Sequence, residues 1–78
     1  MKKLPIGNEF IIHSSSDLGL AIKLCRKEQQ LNQTHLAGIA NTGNRFIVEL
    51  EQGKPTVQLQ KVIEVLDLLG LDLIVRPR

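Results

Sequence analysis

The sequence predicts a mainly α-helical domain of four helices that ends in one short strand. Apolar residues recur at helical spacing in four segments, and turns containing asparagine, glycine or proline separate these segments. From residue 71 the pattern changes to branched apolar residues in alternation, which is typical of a strand. Because 78 residues are close to the lower limit for a self-sufficient core, we expect one domain that contact with a second subunit would stabilise.

The composition is that of a folded protein. Hydrophobic residues make up 42% of the chain and charged residues 23%, which excludes the class of disordered chains. One cysteine and two histidines supply neither a disulfide nor a zinc quartet, so we expect no metal and no cofactor. No apolar run reaches the roughly 18 residues of a membrane span, and no secretory signal is recognisable, so we expect a cytoplasmic protein. The formal charge of +2 permits an anionic partner without requiring one.

An N-terminal arm, residues 1–14, precedes the first helix and contains the short apolar run 10–12. Helix 1 is predicted over residues 16–30, because a serine cluster and Asp17 supply N-cap candidates ahead of an apolar stripe. The stripe consists of Leu18, Ala21, Ile22 and Cys25. The other face carries Lys23, Arg26, Lys27 and Glu28, and we expect it to be solvated.

Helices 2 and 3 are predicted to be short and separated by a tight turn. Helix 2 spans residues 33–40 with Asn32 as its N-cap, and Asn41 suits the left-handed conformation that ends many helices. Helix 3 spans residues 44–52, with Thr42 or Gly43 as its cap and Gly53 just beyond its end. Two short helices around a three-residue turn form the pattern of a helix-turn-helix unit, in which one helix enters the DNA major groove and the other lies across the backbone.

Helix 4 is predicted over residues 57–69, with Thr56 as its cap, because Pro55 cannot continue a helix. Residues 71–76 are predicted to form a strand. A lone strand leaves its backbone groups unpaired, so it needs a partner, either the arm segment 10–12 or the same strand of a second subunit. We assign dimerisation contacts to Leu71, Leu73, Ile74 and Val75.

A fixed pattern of residues runs through helices 2 and 3. In and around helix 2 it consists of Leu31, Gln33, Leu36, Ala37 and Ala40; in helix 3 and after it, of Ile47, Leu50, Glu51, Gly53 and Lys54. By this pattern the chain resembles the Cro/repressor, or Xre, helix-turn-helix family over roughly residues 16–69. The resemblance implies a four- to five-helix, lambda-repressor-like DNA-binding domain over residues 15–69, followed by a dimerisation strand over residues 70–78.

The resemblance also implies which residues contact DNA. The set is Gln33, Thr42, Gly43, Asn44, Arg45, Phe46, Val48, Glu49 and Lys54. In the family the Gln that opens helix 2 bonds a phosphate, and the start and outer face of helix 3 read bases. Asn44 would pair with adenine, Arg45 with guanine or a phosphate, and Glu49 with cytosine. Further phosphate candidates are Lys2, Lys3, Lys23 and Lys27.

Simpler roles stay open for several of these residues. Gln33 could be only a helix-start residue, Lys54 only a solvated side chain, and Arg45 with Glu49 only an exposed i,i+4 ion pair. Phe46 stands where the family has a small hydroxyl residue, and it could pack against helix 2 or point towards the sugar-phosphate edge. The chain also has Asn41 in place of the usual turn glycine and Gly43 in place of the usual hydroxyl cap.

A narrower resemblance lies in the serine-rich cap before helix 1, the Pro55-Thr56 start of helix 4 and the ending "VLDLLGLDLIVRP". These features are similar to HipB-like antitoxins, which implies a homodimer that represses its own operon and binds a HipA-like Ser/Thr kinase toxin. The alternative is a stand-alone Xre-type regulator with no toxin partner. An enzymatic interpretation would rest only on Cys25 and His35, and because Cys25 lies on the apolar stripe, we expect a buried structural thiol and no enzyme.

Overall fold

Four helices pack around one aliphatic core in the computed structural model, which describes residues 9–78. They are α1 (Ser15–Glu28), α2 (Gln33–Ala40), α3 (Asn44–Glu51) and α4 (Leu59–Leu68). Both α1 and α2 pack against α3, and α4 packs against α2. The four predicted helices are confirmed. The fully buried side chains Ile22, Leu36, Ile47, Val62 and Val65 come from all four helices, so the core lies where the helices meet.

The helix ends follow the local sequence closely. The Ser14 hydroxyl accepts a hydrogen bond from the Asp17 N–H at 3.1 Å and caps α1, and Asn32 caps α2 through the His35 N–H at 2.7 Å. Asn41 ends α2 in the left-handed conformation, with φ 57° and ψ 46°, as predicted. Because each of these signals is contained within a few residues, the sequence alone is enough to locate them.

Glycines set the spacing between α1 and the end of α3. A side chain at Gly19 would place its Cβ 2.7 Å from the Glu51 carbonyl oxygen and in hard contact with the Leu50 carbonyl, so α1 crosses α3 where only glycine fits. Gly53 follows α3 with φ +86°, and its carbonyl accepts a 2.7 Å hydrogen bond from the Ser15 hydroxyl. These contacts fix the angle at which α3 is presented.

Helix α4 begins later than predicted. Its N-cap is Gln58 rather than Thr56, and residues 55–58 form a bend and an extended segment before the first helical turn. Val57 is half-buried against the core, which holds this segment extended. Burial of a β-branched side chain has therefore overridden the capping signal of Thr56.

The strand predicted over residues 71–76 is wrong for the single chain. Residues 71–78 adopt neither helix nor strand, and only Leu71 packs against the core. The arm does approach this tail, because the Arg76 guanidinium donates to both carboxylate oxygens of Glu9, at 3.0 and 3.2 Å. Even so, the arm segment 10–12 forms no ladder with it. Without a neighbouring backbone an extended segment has no partner for its N–H and C=O groups.

Candidate functional site

The turn between α2 and α3 consists of residues 41–43, and it leaves the start of α3 open. Gly43 is the N-cap of α3, and no side chain caps the helix. The Thr42 hydroxyl instead donates to the Gly43 carbonyl at 3.2 Å, so of the two caps predicted, Gly43 takes the position and the cap is the weak one. No atom would lie within 4 Å of a Cβ at Gly43, so this end of α3 is freely approachable.

The two faces of α3 differ sharply. Ile47, Leu50 and Glu51 are buried against the rest of the domain. Asn44 and Arg45 are exposed, with 88% of the Arg45 side chain accessible, and Val48 and Glu49 are half-buried. The structure therefore brings the base-reading residues predicted from the sequence onto one outward face of one helix.

Asn44 is held by the helix that precedes the turn. The Thr34 hydroxyl, in the first turn of α2, donates to the Asn44 side-chain oxygen at 3.1 Å. The amide NH₂ of Asn44 is then oriented by its own oxygen, which still has a second lone pair to accept with. Thr34 was absent from the predicted site, because nothing in the sequence indicates which side chain meets the start of α3.

Phe46 packs inward. It is half-buried against the core and lines a shallow depression together with Thr42, Gly43, Val57 and other residues from the turn and the start of α4. Of the two roles left open for it, the structure therefore supports packing within the domain. The ring closes the space between α3 and the segment that leads into α4.

A cluster of three charged residues lies on the outward face of α3. Glu49 accepts a hydrogen bond from the Arg45 Nε at 3.0 Å and from the Lys54 Nζ at 3.2 Å. These two cations, Lys54 more than Arg45, hold the pKa of the Glu49 carboxyl below its usual range. The exposed i,i+4 ion pair considered from the sequence is thus present, and Lys54 adds a second cation to it. We call Glu49, Arg45 and Lys54 the exposed triad.

A second, buried network lies at the other end of the same helix. The Arg26 guanidinium donates to both oxygens of Glu51, at 2.6 and 2.9 Å, and to the Leu31 carbonyl at 2.7 Å. The side chains of Arg26 and Glu51 are 7% and 2% exposed. Gln33 joins them by donating its side-chain amide to Glu51 at 3.1 Å. We call Arg26, Glu51 and Gln33 the buried network.

The assignment of Arg26 to a solvated face was wrong. The residue lies four positions after Ile22, so helical spacing places it beside the apolar stripe, and this spacing is the signal that could have found it. Gln33 is more than a helix-start residue, since its amide is tied to Glu51. An amide NH₂ carries two protons, and one of them remains to donate outward.

The remaining candidates lie apart from these clusters. Lys23 and Lys27 are exposed on α1, and Lys2 and Lys3 lie outside the described residues. Cys25 is buried, as predicted, and receives the Gln29 amide at 3.3 Å, whereas His35 is exposed on α2. Within residues 9–78 no group of three metal-ligating side chains is assembled, and none of their helices combines the length and apolarity that crossing a membrane requires.

Comparison with known proteins agrees with this geometry. No protein-family model matches the chain. Over 59 residues it is 52% identical to the uncharacterized HTH-type transcriptional regulator y4mF of Sinorhizobium fredii, an alignment that covers 76% of this chain and 78% of that protein.

Solved structures of HipB have the same fold. The chain superposes on HipB in a HipB–O4 20mer complex and in a HipA–HipB–O2–O3 complex with a TM-score of 0.78, at 24% identity, over 86% of this chain and 94% of the other. A HipB–O2 20mer complex gives a TM-score of 0.81 at 23% identity, over 90% and 97% of the two chains. The predicted Xre-type, HipB-like helix-turn-helix fold is therefore confirmed.

Proposed function

This chain belongs to the family of HTH-type transcriptional regulators, and from that premise we propose that it is a sequence-specific DNA-binding repressor that acts as a homodimer. The outward face of α3 is the observation that carries the proposal. Asn44 and Arg45 are exposed at the open start of a helix whose opposite face is locked into the core. A short helix presented in this way fits the DNA major groove, with α2 lying across the backbone.

The contacts then divide into base and phosphate contacts. Asn44 offers an oriented amide to adenine, Arg45 a guanidinium to guanine, and Val48 an apolar surface to a thymine methyl. Thr42, Gly43 and the first N–H groups of α3 approach the backbone, where Gly43 presents no side chain. The second proton of the Gln33 amide is directed to a phosphate, while the first stays on Glu51. Phe46 supports this surface from within.

The exposed triad changes partners on binding in this proposal. In the free protein Glu49 neutralises Arg45 and Lys54. Near DNA the phosphates and guanine compete for both cations, and the released carboxylate accepts from a cytosine amine. Because an exposed ion pair is weak, this exchange costs little.

The homodimer forms through the tail. Leu73, Ile74 and Val75 are exposed, Val75 by 97%, and Leu71 next to them is half-buried on the core. Pairing the tails of two subunits as strands would satisfy their backbone groups and cover this apolar surface. A two-fold dimer also carries two copies of α3 to successive major grooves of a palindromic site.

We further propose that the protein is the antitoxin of a HipA-like kinase and represses the operon that encodes both. The likeness in fold to HipB, one of whose structures contains HipA, favours this role. A stand-alone regulator is the alternative. The gene beside this one distinguishes them: a HipA-like reading frame there, whose product copurifies with this chain and loses kinase activity on binding it, supports the antitoxin, and its absence supports the stand-alone regulator.

Selection from a random DNA library tests the DNA-binding proposal. We expect recovered duplexes to carry inverted half-sites about 10 base pairs apart, or a multiple of that spacing. Arg45→Ala should relax the preference at one position, and Arg45→Lys is the matched control, because it keeps the charge but not the bidentate fork. Lys54→Ala should weaken all duplexes alike and lower the salt slope by about 1. Failure to recover any preferred sequence at low salt would contradict the proposal.

A further inference from the structure

The contact between Arg76 and Glu9 joins two segments that are far apart in the chain. The guanidinium donates from two of its nitrogens, leaving the Nε–H and one proton on each of the others unused by residues 9–78. Both side chains are more than half exposed, and an exposed pair of this kind contributes little by itself. A second carboxylate beside Arg76 would use the remaining donors and hold both segments in place.

The tail carries the pattern of a strand that lacks its partner. Leu71 faces the core, so by alternation Leu73 and Val75 share its side, and the opposite side carries Asp72, Ile74 and Arg76. Among the described residues, the backbone of residues 72–78 makes no hydrogen bond to other backbone groups. Such a segment pairs most readily with a second copy of itself, because a two-fold axis makes the surface complementary to its own image.

Three registers keep the apolar sides of two antiparallel tails together, and charge distinguishes them. Residues directly opposite each other must share a side, so the two-fold axis passes through a residue rather than between two. An axis at Leu73 places Asp72 opposite Ile74 of the partner subunit. An axis at Val75 places Arg76 opposite Ile74 of the partner subunit and draws Pro77 into the ladder.

Only an axis at Ile74 matches both charge and apolarity. It places Arg76 opposite Asp72 of the partner subunit, and Leu73 opposite Val75 of the partner subunit, each twice in the dimer. Opposite charges facing each other across strands stabilise the pair. On the same side, Arg76 already holds Glu9 of its own chain.

We propose that Arg76 is the residue that joins the arm, the tail and the second subunit: it binds Glu9 of its own chain and Asp72 of the partner subunit in an antiparallel tail pair centred on Ile74. This inference rests on the proposed homodimer and goes beyond it, since it fixes the register and makes the arm part of the dimer interface. The occupant of the exposed tail is a second copy of this chain. Removing either carboxylate should weaken the dimer.

Disulfide formation in the full-length chain tests the register. In variants with one added cysteine at each position from 72 to 76, I74C should cross-link fastest, because opposed Cα atoms lie about 4.5–5.5 Å apart, within disulfide range. D72C and R76C should be at least 10-fold slower, since like residues are then offset by four positions, about 14 Å along the strands. The unaltered chain, whose Cys25 is buried, is the control. A maximum at any other position would overturn the proposed register.

Charge exchange tests the contact itself, by sedimentation of purified chains. D72R and R76D should each raise the dimer dissociation constant at least 10-fold, and the double variant D72R/R76D should recover most of that loss. E9Q should raise it severalfold in the otherwise natural chain and have no effect beside R76D. A double variant no better than either single one would overturn the contact. If the natural chain is monomeric at all concentrations, the proposed homodimer itself fails, which is a different result from a dimer with another register.

Discussion

Two glutamates on α3, only two residues apart, illustrate how position decides what an ion pair does. Glu51 in the buried network and Glu49 in the exposed triad each accept from more than one nitrogen donor. Around Glu51 the guanidinium and carboxylate are almost fully removed from water, whereas Arg45 is almost fully exposed. The same chemistry therefore fixes the fold at one site and stays exchangeable at the other.

The difference follows from the cost of desolvation. A buried charge that loses its partner cannot recover its hydration, so the pair acts as a lock between α1 and the end of α3. An exposed charge that loses its partner is solvated at once, so the triad can change partners. Burying one face of α3 and leaving the other exchangeable is the arrangement that a DNA-reading helix requires.

Glu51→Ala should produce the largest change in stability. It leaves the Arg26 charge buried without its carboxylate, and we expect a loss of about 3–5 kcal/mol in the free energy of unfolding, measured by urea denaturation. Glu49→Ala is the matched control on the same helix, and its effect should be small. The double variant R26M/E51L should recover part of the loss, because no charge is left buried. Equal effects of Glu51→Ala and Glu49→Ala would contradict the contrast between the two sites.

Gly19→Ala should have the next largest effect. Its Cβ would meet the backbone carbonyls at the end of α3, so α1 must move away, and we expect a loss of about 1–3 kcal/mol. Gly38→Ala is the control, because nothing lies within 4 Å of a Cβ there and alanine favours the helix by about 1 kcal/mol. Thermal unfolding of the two variants should shift in opposite directions. Shifts in the same direction would mean that α1 does not rest on α3 as described.

Glu49→Gln should alter DNA binding more than stability. It releases Arg45 and Lys54 from their shared anion, so affinity for random-sequence duplexes should rise severalfold and depend more steeply on salt. Affinity for the selected site should rise less, because glutamine cannot replace the carboxylate that accepts from cytosine. Fluorescence anisotropy over a salt series measures both. An unchanged ratio of selected to random affinity would remove Glu49 from the specificity-determining residues.

The smallest expected effect is the pH dependence of the exposed triad. The pKa of Glu49 is lowered from its ordinary value of 4.5 by Lys54 and then Arg45, so the ionised form is favoured in the folded state. Its contribution is fully present above pH 4.5 and is lost as the pH falls through the lowered pKa. An NMR titration of the Glu49 carboxyl should give a midpoint below 4.5 that rises in Lys54→Ala. A midpoint unmoved by that substitution would exclude Lys54 as the main cause.

Local signals were readable from the sequence, and long-range ones were not. Ser14, Asn32 and Asn41 act within a few residues of themselves, so the ends of α1 and α2 were predicted closely. Arg26 was misplaced because its partner Glu51 lies 25 residues away, and only the packing of α1 on α3 brings them together. The start of α4 shifted because Val57 reaches the core.

The tail shows the same limit in another form. Its residues have a strand pattern, but a strand is defined by its neighbour, and in the single chain the tail has only the side-chain contact between Glu9 and Arg76. The outward set on α3 was predicted as a group because helical periodicity fixes which residues share a face. Thr34 was not, since its contact with Asn44 depends on how the turn places α2 against α3.

The NMR signals of two arginine Nε–H groups test the central claim most directly, because they report on both faces of α3 in one titration. With a duplex selected for binding, the Arg45 Nε–H should shift together with the backbone amides of Asn44, Val48 and Glu49. The Arg26 Nε–H, bonded to Glu51 at 2.6 Å, should keep its position. Shifts confined to other helices, with Arg45 and its neighbours on α3 unmoved, would contradict the assignment of α3 as the helix that reads DNA.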